Sequence, residues 1–457
     1  MKKIGMVSLG CPKNTVDTEL VLGDLAQNGY EMTPVQEEAD IIIVNTCGFI
    51  ESAKRESIDA ILEMARLKSE GRCKKLVVTG CLSERYSEEL LKEIPEIDLL
   101  LGVNQYPGLK RLLAAEGEAR ANGANGANHV NDPAEYYESF GRRALTTPFY
   151  SAYLKIAEGC SHQCAFCYIP QIRGAFRSRP MESIVEEARG LARKGVKEFN
   201  LISQVTTLYG ADLRMQDGVV QLLKALSAID GVEWLRLLYC YPTFLKTGLI
   251  DYIGGEAKVC NYIDMPLQHI DDGMLRTMKR QETEKEVRAL LAELRRKIPG
   301  VALRTTFITG FPGETDAHFR RLADFLVEME FDHVGVFTYS DEEGTAAYGY
   351  PGRVSKETAQ QRKNELMRIQ REVSRRKNAS RVGQVYPVLV EGLDGDCLLT
   401  GRFAFQAPEI DGQAILEKTH AEPGQILPAR VTASLDYDLI ACAEEPAKLE
   451  NHRRERP

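Results

Sequence analysis

Three cysteines, Cys160, Cys164 and Cys167, fall in the segment Cys160-Ser-His-Gln-Cys164-Ala-Phe-Cys167, directly after the strand-like run YLKIAEG. Thiolates are soft ligands suited to zinc, copper(I) and iron–sulfur clusters. A structural zinc site usually closes four ligands drawn from CxxC pairs. Here no fourth Cys or His lies at a typical spacing, and His162 sits inside the tight loop, where its geometry as a ligand is unfavourable. Three thiolates on a [4Fe-4S] cube leave one iron without a protein ligand, and an open iron is a site for chemistry.

A second set is more widely spaced. Cys11 follows VSLG, Cys47 follows IIIVNT and Cys81 follows LVVTG, so each lies just past the carboxyl end of a strand-like run. In a parallel sheet those ends converge on one crevice. A lone Cys is more often a small buried hydrophobe, and that reading is adopted for Cys73, Cys240, Cys260, Cys397 and Cys442. For Cys11, Cys47 and Cys81 the shared register, the flanking Gly10, Gly48 and Gly80, and the polar Asn14 and Asn45 favour a second iron–sulfur cluster.

The elements that must position these residues are legible as periodicities. Over residues 1–115, the apolar runs KIGMVSLG, ADIIIVNT, KKLVVTG and IDLLLGV alternate with amphipathic segments, a βα pattern that implies a parallel sheet. Residues 116–147, with their GAN repeat, read as a linker. From residue 148 to 379 six strand-like runs alternate with helices, too few for a closed eight-stranded barrel, so a partial (βα)6 barrel is expected. Residues 380–446 are short, β-branched and turn-bounded, as in a small all-β barrel, and 447–457 form a tail. The overall class is α/β.

The 457 residues carry a formal charge of -8 and eleven cysteines, an odd number that fits no fully paired disulfide framework. No apolar run reaches the length of a membrane helix, and the start MKKIGMVSLGCPKN turns polar too soon for a signal peptide, so no membrane partner and a cytoplasmic location are expected. The acidity is concentrated: residues 380–445 hold four basic residues (Arg381, Arg402, Lys418, Arg430) against eleven acidic ones. A module that grips nucleic acid phosphates should be basic. This one suits a basic protein partner better.

The CxxxCxxC spacing, its loop after the first barrel strand and Phe166 before the last Cys resemble the radical S-adenosylmethionine superfamily. That resemblance implies that Cys160, Cys164 and Cys167 hold a [4Fe-4S] cluster whose open iron chelates S-adenosylmethionine, which is cleaved by one electron from an external donor to a 5'-deoxyadenosyl radical. It also implies cofactor contacts for Phe166, for Ser203 and Gln204 after the second strand, and for Gly310 (with Gly313) in TFITGFPGE. With the N-terminal triad and a C-terminal barrel similar to a TRAM domain, the whole chain resembles the methylthiotransferases. In that family a second [4Fe-4S] cluster, here on Cys11, Cys47 and Cys81, carries sulfur, so that all six cysteines are catalytic metal ligands and C-H becomes C-S-CH3. SLGCPKNTVDTE, NTCGFIESAKRES, TGCLSERY and PLQHIDDGMLRTMKR resemble the RimO-type branch, which modifies an aspartate β-carbon in small-subunit ribosomal protein S-twelve. The MiaB-type branch, which modifies transfer RNA adenosine, typically reads GCQMN at the first of these. One departure is Val205, where the RimO type usually has Asp. The rivals are a MiaB-type enzyme and, from another class, a non-catalytic iron–sulfur electron carrier or a zinc-stabilised RNA-binding scaffold.

Overall fold

The computed structural model describes residues 1–103, 105–106, 109–114, 127–130, 143–395 and 398–444. Most of the expected linker, together with Cys397 and the tail, lies outside them. The N-terminal module has β1 (Lys3–Ser8), α1 (Pro12–Gln27), β2 (Glu31–Thr33), β3 (Ile41–Thr46), α2 (Glu51–Glu70), β4 (Lys75–Gly80), α3 (Cys81–Arg85), α4 (Ser87–Glu93), β5 (Leu99–Leu101), α5 (Leu109–Ala114) and β6 (Ala127–His129). Its six strands are all parallel, in the order β2-β1-β3-β4-β5-β6. β3 is buried along its whole length because helices cover both faces. Ile41 and Ile43 pack toward Val21 and Leu25 of α1, while Ile42 and Val44 pack toward Ile61 and Met64 of α2.

Two features modify the linker expectation. Ala127–His129 adds an edge strand beside β5. Arg143, 4% exposed, donates to carboxylates of Glu19 on α1 and Glu187, and Glu19 also accepts from Thr146 and Thr147. The end of that stretch is therefore fastened to both neighbouring modules.

The central module runs β7 (Ser151–Lys155), β8 (Ala157–Glu158), α6 (Ile169–Arg173), β9 (Arg177–Ser178), α7 (Met181–Ala192), β10 (Glu198–Ile202), α8 (Gly218–Ser227), β11 (Trp234–Leu237), α9 (Thr247–Gly255), β12 (Val259–Asp264), α10 (Asp272–Thr277), α11 (Glu284–Lys297), β13 (Ala302–Thr309), α12 (Asp316–Met329), β14 (His333–Thr338) and α13 (Lys356–Ser380). Six parallel strands lie in the order β7-β10-β11-β12-β13-β14, an open barrel of consecutive βα units. The C-terminal module is a closed five-stranded barrel, β15 (Val385–Leu393), β16 (Leu399–Phe403), β17 (Ala414–Leu416), β18 (Ile426–Ser434) and β19 (Leu439–Ala443). It packs into the open barrel: Leu389 and Ala407 join Tyr153, Trp234 and Tyr262 in one buried cluster. Arg402 donates to Glu198 (2.6 Å), which also accepts from Arg236 (3.0 Å).

Candidate functional site

In the N-terminal sheet the chain leaves β1 in one direction, to β2, and β3 in the other, to β4, so the switch point lies between β1 and β3. Ligands of such sheets bind outside the carboxyl ends of the strands at that point. Cys11 caps α1 after β1, Cys47 directly follows β3, and Cys81 opens α3 after β4. The glycines between them are required by close approach. A Cβ on Gly10, whose φ is +96°, would stand 2.9 Å from the Cβ of Cys47, and one on Gly48 would stand 2.9 Å from the carbonyl oxygen of Cys81. Asn14 ties the loops together, its Nδ2 donating to the carbonyls of Leu9 (2.9 Å) and Thr46 (3.0 Å).

Burial pushes the Cys81 thiol up to about 12, with Arg173 opposing, and raises Cys47 as well. At Cys11 burial works in the same sense, but the cations of Lys13 and Arg173 and nearby backbone N–H groups outweigh it and lower its pKa. Cys47 and Cys81 are thus thiols whose ionisation needs a cation to offset their desolvation, as a bound metal does, while Cys11 already has cations beside it. The donor set therefore fits a metal cluster.

The second triad lies on the loop between β8 and α6. Cys160 N–H donates to the carbonyl of Gly174 (3.0 Å) and Cys167 N–H to that of Cys164 (3.1 Å). All three side chains are partly exposed. Burial raises Cys160 and pushes Cys167 up to about 12. Arg280 lies 3.9 Å from the Cys164 sulfur and 4.1 Å from the ring centroid of Tyr241, and its charge is balanced by Glu282 at 2.7 Å. His162 stacks on Tyr241 at 4.2 Å, an aromatic contact and not a ligand position. Among the described residues no three His, Cys, Asp or Glu side chains are gathered as donors to one metal ion.

Helix α6 joins the two triads. It begins two residues after Cys167, its Ile172 packs on Cys81, and its last residue, Arg173, reaches the Cys81 sulfur at 3.5 Å and Asn14 Oδ1 at 2.6 Å. Arg173 also donates to Asp17 (3.1 Å) and Glu158 (3.0 Å), which both accept from Lys155. Burial by itself would raise the Glu158 carboxyl, but Arg173 and Lys155 hold it well below the usual carboxylate range.

Comparison with known proteins decides the family. A protein of Geotalea uraniireducens (strain Rf4) named ribosomal protein uS12 methylthiotransferase RimO is 49% identical over 442 residues, covering 96% of this chain and 98% of its own. One of the same name from Geobacter sulfurreducens is 48% identical over 441 residues, with 96% and 98% covered. This chain belongs to the RimO family. Family profiles match residues 3–102 (uncharacterized protein family UPF0004), 154–326 (radical SAM superfamily) and 382–443 (TRAM domain). Among solved structures, the radical S-adenosylmethionine methyltransferase TsrM from Kitasatospora setae aligns with a TM-score of 0.57 at 16% identity, covering 76% of this chain and 77% of that one, a likeness of fold.

Within this RimO-family chain the other expected cofactor residues fall into different surroundings. Gln204 donates to Glu158 (2.8 Å) and leaves its buried Oε1 without a partner, an acceptor fit for an N–H of S-adenosylmethionine. The Ser203 hydroxyl is fully buried and accepts from the Val205 N–H (3.0 Å), so it shapes the loop. Gly310 has φ +78°, and a Cβ there would meet the Cβ of Ala359 on α13 at 2.4 Å; its requirement is helix packing. Gly313, at φ +84°, has open space in front of it. Phe166 packs with Met274, Met278 and Phe311 behind the cysteine loop. Val205 sits in an apolar cluster with Ala157, Phe176 and Tyr241. Of the cysteines read as core thiols, Cys73, Cys240 and Cys260 are buried, while Cys442 is partly exposed.

Sequence reasoning missed Lys13, Asp17, Lys155, Glu158, Arg173 and Arg280. One signal was available: the first two turns of α1 carry Lys13, Asn14, Asp17, Thr18 and Glu19, all buried. A helix that must pack by these turns yet is polar there is packing on a polar site.

Proposed function

We propose that this protein is a radical S-adenosylmethionine methylthiotransferase that converts C-H to C-S-CH3 on the β-carbon of an aspartate of ribosomal protein uS12. The observation that carries the reading is the placement of two cysteine triads on either side of α6, in a chain whose relatives bear that name over nearly their whole length. Cys160, Cys164 and Cys167 would hold one [4Fe-4S] cluster, and Cys11, Cys47 and Cys81 a second. When bound, these clusters and S-adenosylmethionine supply an electron, a radical able to take hydrogen from an unactivated carbon, and a sulfur carrier.

The protein's own contribution is positioning and electrostatics. Lys13 and Arg173 favour the thiolate of Cys11, and Arg280 stands beside Cys164. Gln204, held by Glu158, offers an acceptor to the cofactor. Ala157, Phe176, Val205 and Tyr241 form an apolar wall beside Cys160 that keeps water from the reacting centre.

The C-terminal barrel supports a basic protein as substrate, met free or within the ribosomal subunit. Arg402 is turned inward to Glu198, and Arg381 is paired with Asp332 (2.7 Å), while Glu409, Glu417, Glu422 and Asp436 face solvent. Arg430, paired with Glu444, and Lys418 stay exposed but are outnumbered by carboxylates, and a surface of net negative charge repels phosphate and attracts cations. Among the described residues no helix is long and apolar enough to cross a membrane, and the cytoplasm, where ribosomes and an external electron donor are at hand, is the proposed location.

Mass spectrometry of uS12 and of transfer RNA nucleosides, from cells with and without the gene, tests this. A methylthio adduct on a uS12 aspartate that disappears with the gene is expected; one on a transfer RNA adenosine instead would overturn the substrate and favour the MiaB-type reading.

A further inference from the structure

The inner face of the open barrel is covered unevenly. Tyr153 of β7, Trp234 of β11 and Tyr262 of β12 are buried there under α1 and the C-terminal barrel. Toward the far end of the sheet the same face stays accessible. Arg304, Thr306 and Ile308 are half-buried along β13, and between them Leu303, Thr305 and Phe307 are buried, with Phe307 against Phe325 of α12 on the outer face. β14 has no further strand beside it among the described residues, and there Gly335 is half-buried and Phe337 is 50% exposed. A Cβ on Gly335 would stand 3.6 Å from Arg304 and from Thr306 and 3.7 Å from the Phe337 ring, so these four residues share one face. Farther along it, Ile308 joins Phe166, behind the cysteine loop, in one apolar cluster. This flank is a way in from solvent that leads toward the radical triad.

At its foot, where the start of β14, α13 and two loops of the C-terminal barrel meet, lies a cavity of about 310 Å³ lined by Arg304, His333, Gln370, Asp411, Tyr437 and Asp438 among others. Two buried acceptors in its wall are unsatisfied. Gln370, 1% exposed, donates through Nε2 to the carbonyl of Phe331 (2.9 Å) and to Ser374 (2.9 Å), and its Oε1 has no hydrogen-bond partner among the described residues. Asp411 accepts from Tyr262 (2.7 Å) and the Ala407 N–H (2.8 Å) on Oδ2, but on Oδ1 Arg304 and His333 stop at 3.4 Å, beyond a good hydrogen bond. The other arm of Arg304 is turned to Asp264 (2.8 Å). Buried acceptors are normally paired, and lysine and arginine are side chains that only donate. With Asp438 on the same wall, the group that completes this cavity is a cation.

We infer that the aspartate-bearing segment of the substrate protein enters along this flank, packing on Phe337 and seating a lysine or arginine side chain in the cavity against Asp411 and Gln370. The inference rests on the proposed basic ribosomal-protein substrate and names where the enzyme grips it. Ile308 lies four residues beyond Arg304 on β13, about 13 Å at the rise of a parallel strand. An extended segment therefore spans from the cavity to the cysteine-loop side when its basic residue stands about four positions from the aspartate. Gly335, midway, leaves room for the backbone of that segment.

The test is a double-mutant cycle on the equilibrium binding of purified uS12 to the cluster-loaded enzyme, without reductant so that no turnover occurs. Asp411→Asn removes the charge and keeps an oxygen for Tyr262 and Ala407, and it should weaken binding by about tenfold. Changing the lysines and arginines near the target aspartate to Gln, one at a time, should reveal one whose loss costs the wild type about tenfold and costs Asp411→Asn nothing further. Phe337→Ala, at an exposed position that the fold tolerates, should weaken binding by about fivefold or more. If no basic residue of uS12 couples to Asp411, or if Phe337→Ala binds uS12 as the wild type does, the inference is overturned and the substrate reading stands. A wild type that neither binds nor modifies uS12 would overturn the substrate reading itself, and the inference with it.

Discussion

Replacing Arg173 with Met tests whether the junction between the two triads is held by charge. The substitution keeps the length of the side chain and deletes its bonds to Asp17 (3.1 Å), Glu158 (3.0 Å) and Asn14 (2.6 Å). Lys155 is then left alone facing two buried carboxylates. Removing one partner of a buried ion pair costs about 3–5 kcal/mol, and here the loss falls on the contact between the N-terminal module and the barrel. Anaerobic urea unfolding of the metal-free protein measures it as a lowered midpoint. The pH dependence follows from Glu158. In the wild type burial raises this carboxyl, Arg173 and Lys155 lower it, and the lowering prevails, so its contribution is full above the ordinary value of 4.5 and is lost as pH falls through its depressed folded value. Without Arg173 burial is less opposed, the carboxyl moves up, and the variant sheds its uncompensated charge by protonation at a higher pH. The gap between the two proteins should be widest near about pH 7 and shrink toward about pH 4. A gap below about 1 kcal/mol near neutrality, or one equal at both pH values, would refute the reasoning.

Three further outcomes are expected. Changing Cys160, Cys164 and Cys167 to Ala should abolish 5'-deoxyadenosine formation. Changing Cys11, Cys47 and Cys81 should halve the iron bound and stop sulfur transfer while cofactor cleavage persists, and loss of cleavage in both variants would contradict the division of labour. For Glu198, burial raises the carboxyl, but Arg402 and Arg236 outweigh it and bring it from 4.5 down to about 2. This is worth about 3 kcal/mol, present above pH 4.5 and lost as pH falls toward 2. Glu198→Gln should flatten the acid limb of a stability–pH curve measured on the metal-free protein, and an unchanged limb would show that other carboxylates set it.

Much of this architecture is written locally in the chain. The IIIVNT run is apolar on both faces because α1 and α2 cover β3 from both sides, and Cys11, Cys47 and Cys81 each sit just past the carboxyl end of a strand. What escapes a sequence reading is partnership over distance. Asp17 and Arg173 meet across 156 positions, and nothing local in IPQIR marks Arg173 as the residue between two triads. β2, only Glu-Met-Thr, is too short and polar to announce itself, and it forms because β1 has a free edge. The family resemblance implies cofactor contacts for Ser203 and Gly310. The Ser203 hydroxyl accepts from Val205, and Gly310 donates its N–H to Glu314 while Ala359 stands where its side chain would be, neighbours that only the folded chain supplies. A count of charges likewise cannot tell that Arg402 points inward.

The inward reach of Arg402 bears on how such an enzyme can change over evolutionary time. A terminal β-barrel looks like a unit that could be lost, or exchanged with that of another enzyme, without disturbing the rest. Yet Arg402 and Asp411 complete ionic groups inside the central barrel, with Glu198 and Arg236 on one side and Arg304, Tyr262 and His333 on the other. A lineage that dropped the barrel would uncover those groups, and a transplanted barrel would have to bring equivalents of Arg402 and Asp411. Innovation in what the enzyme recognises is thereby channelled into one-at-a-time changes on the barrel's outer face, while its inner face is inherited as part of the catalytic body.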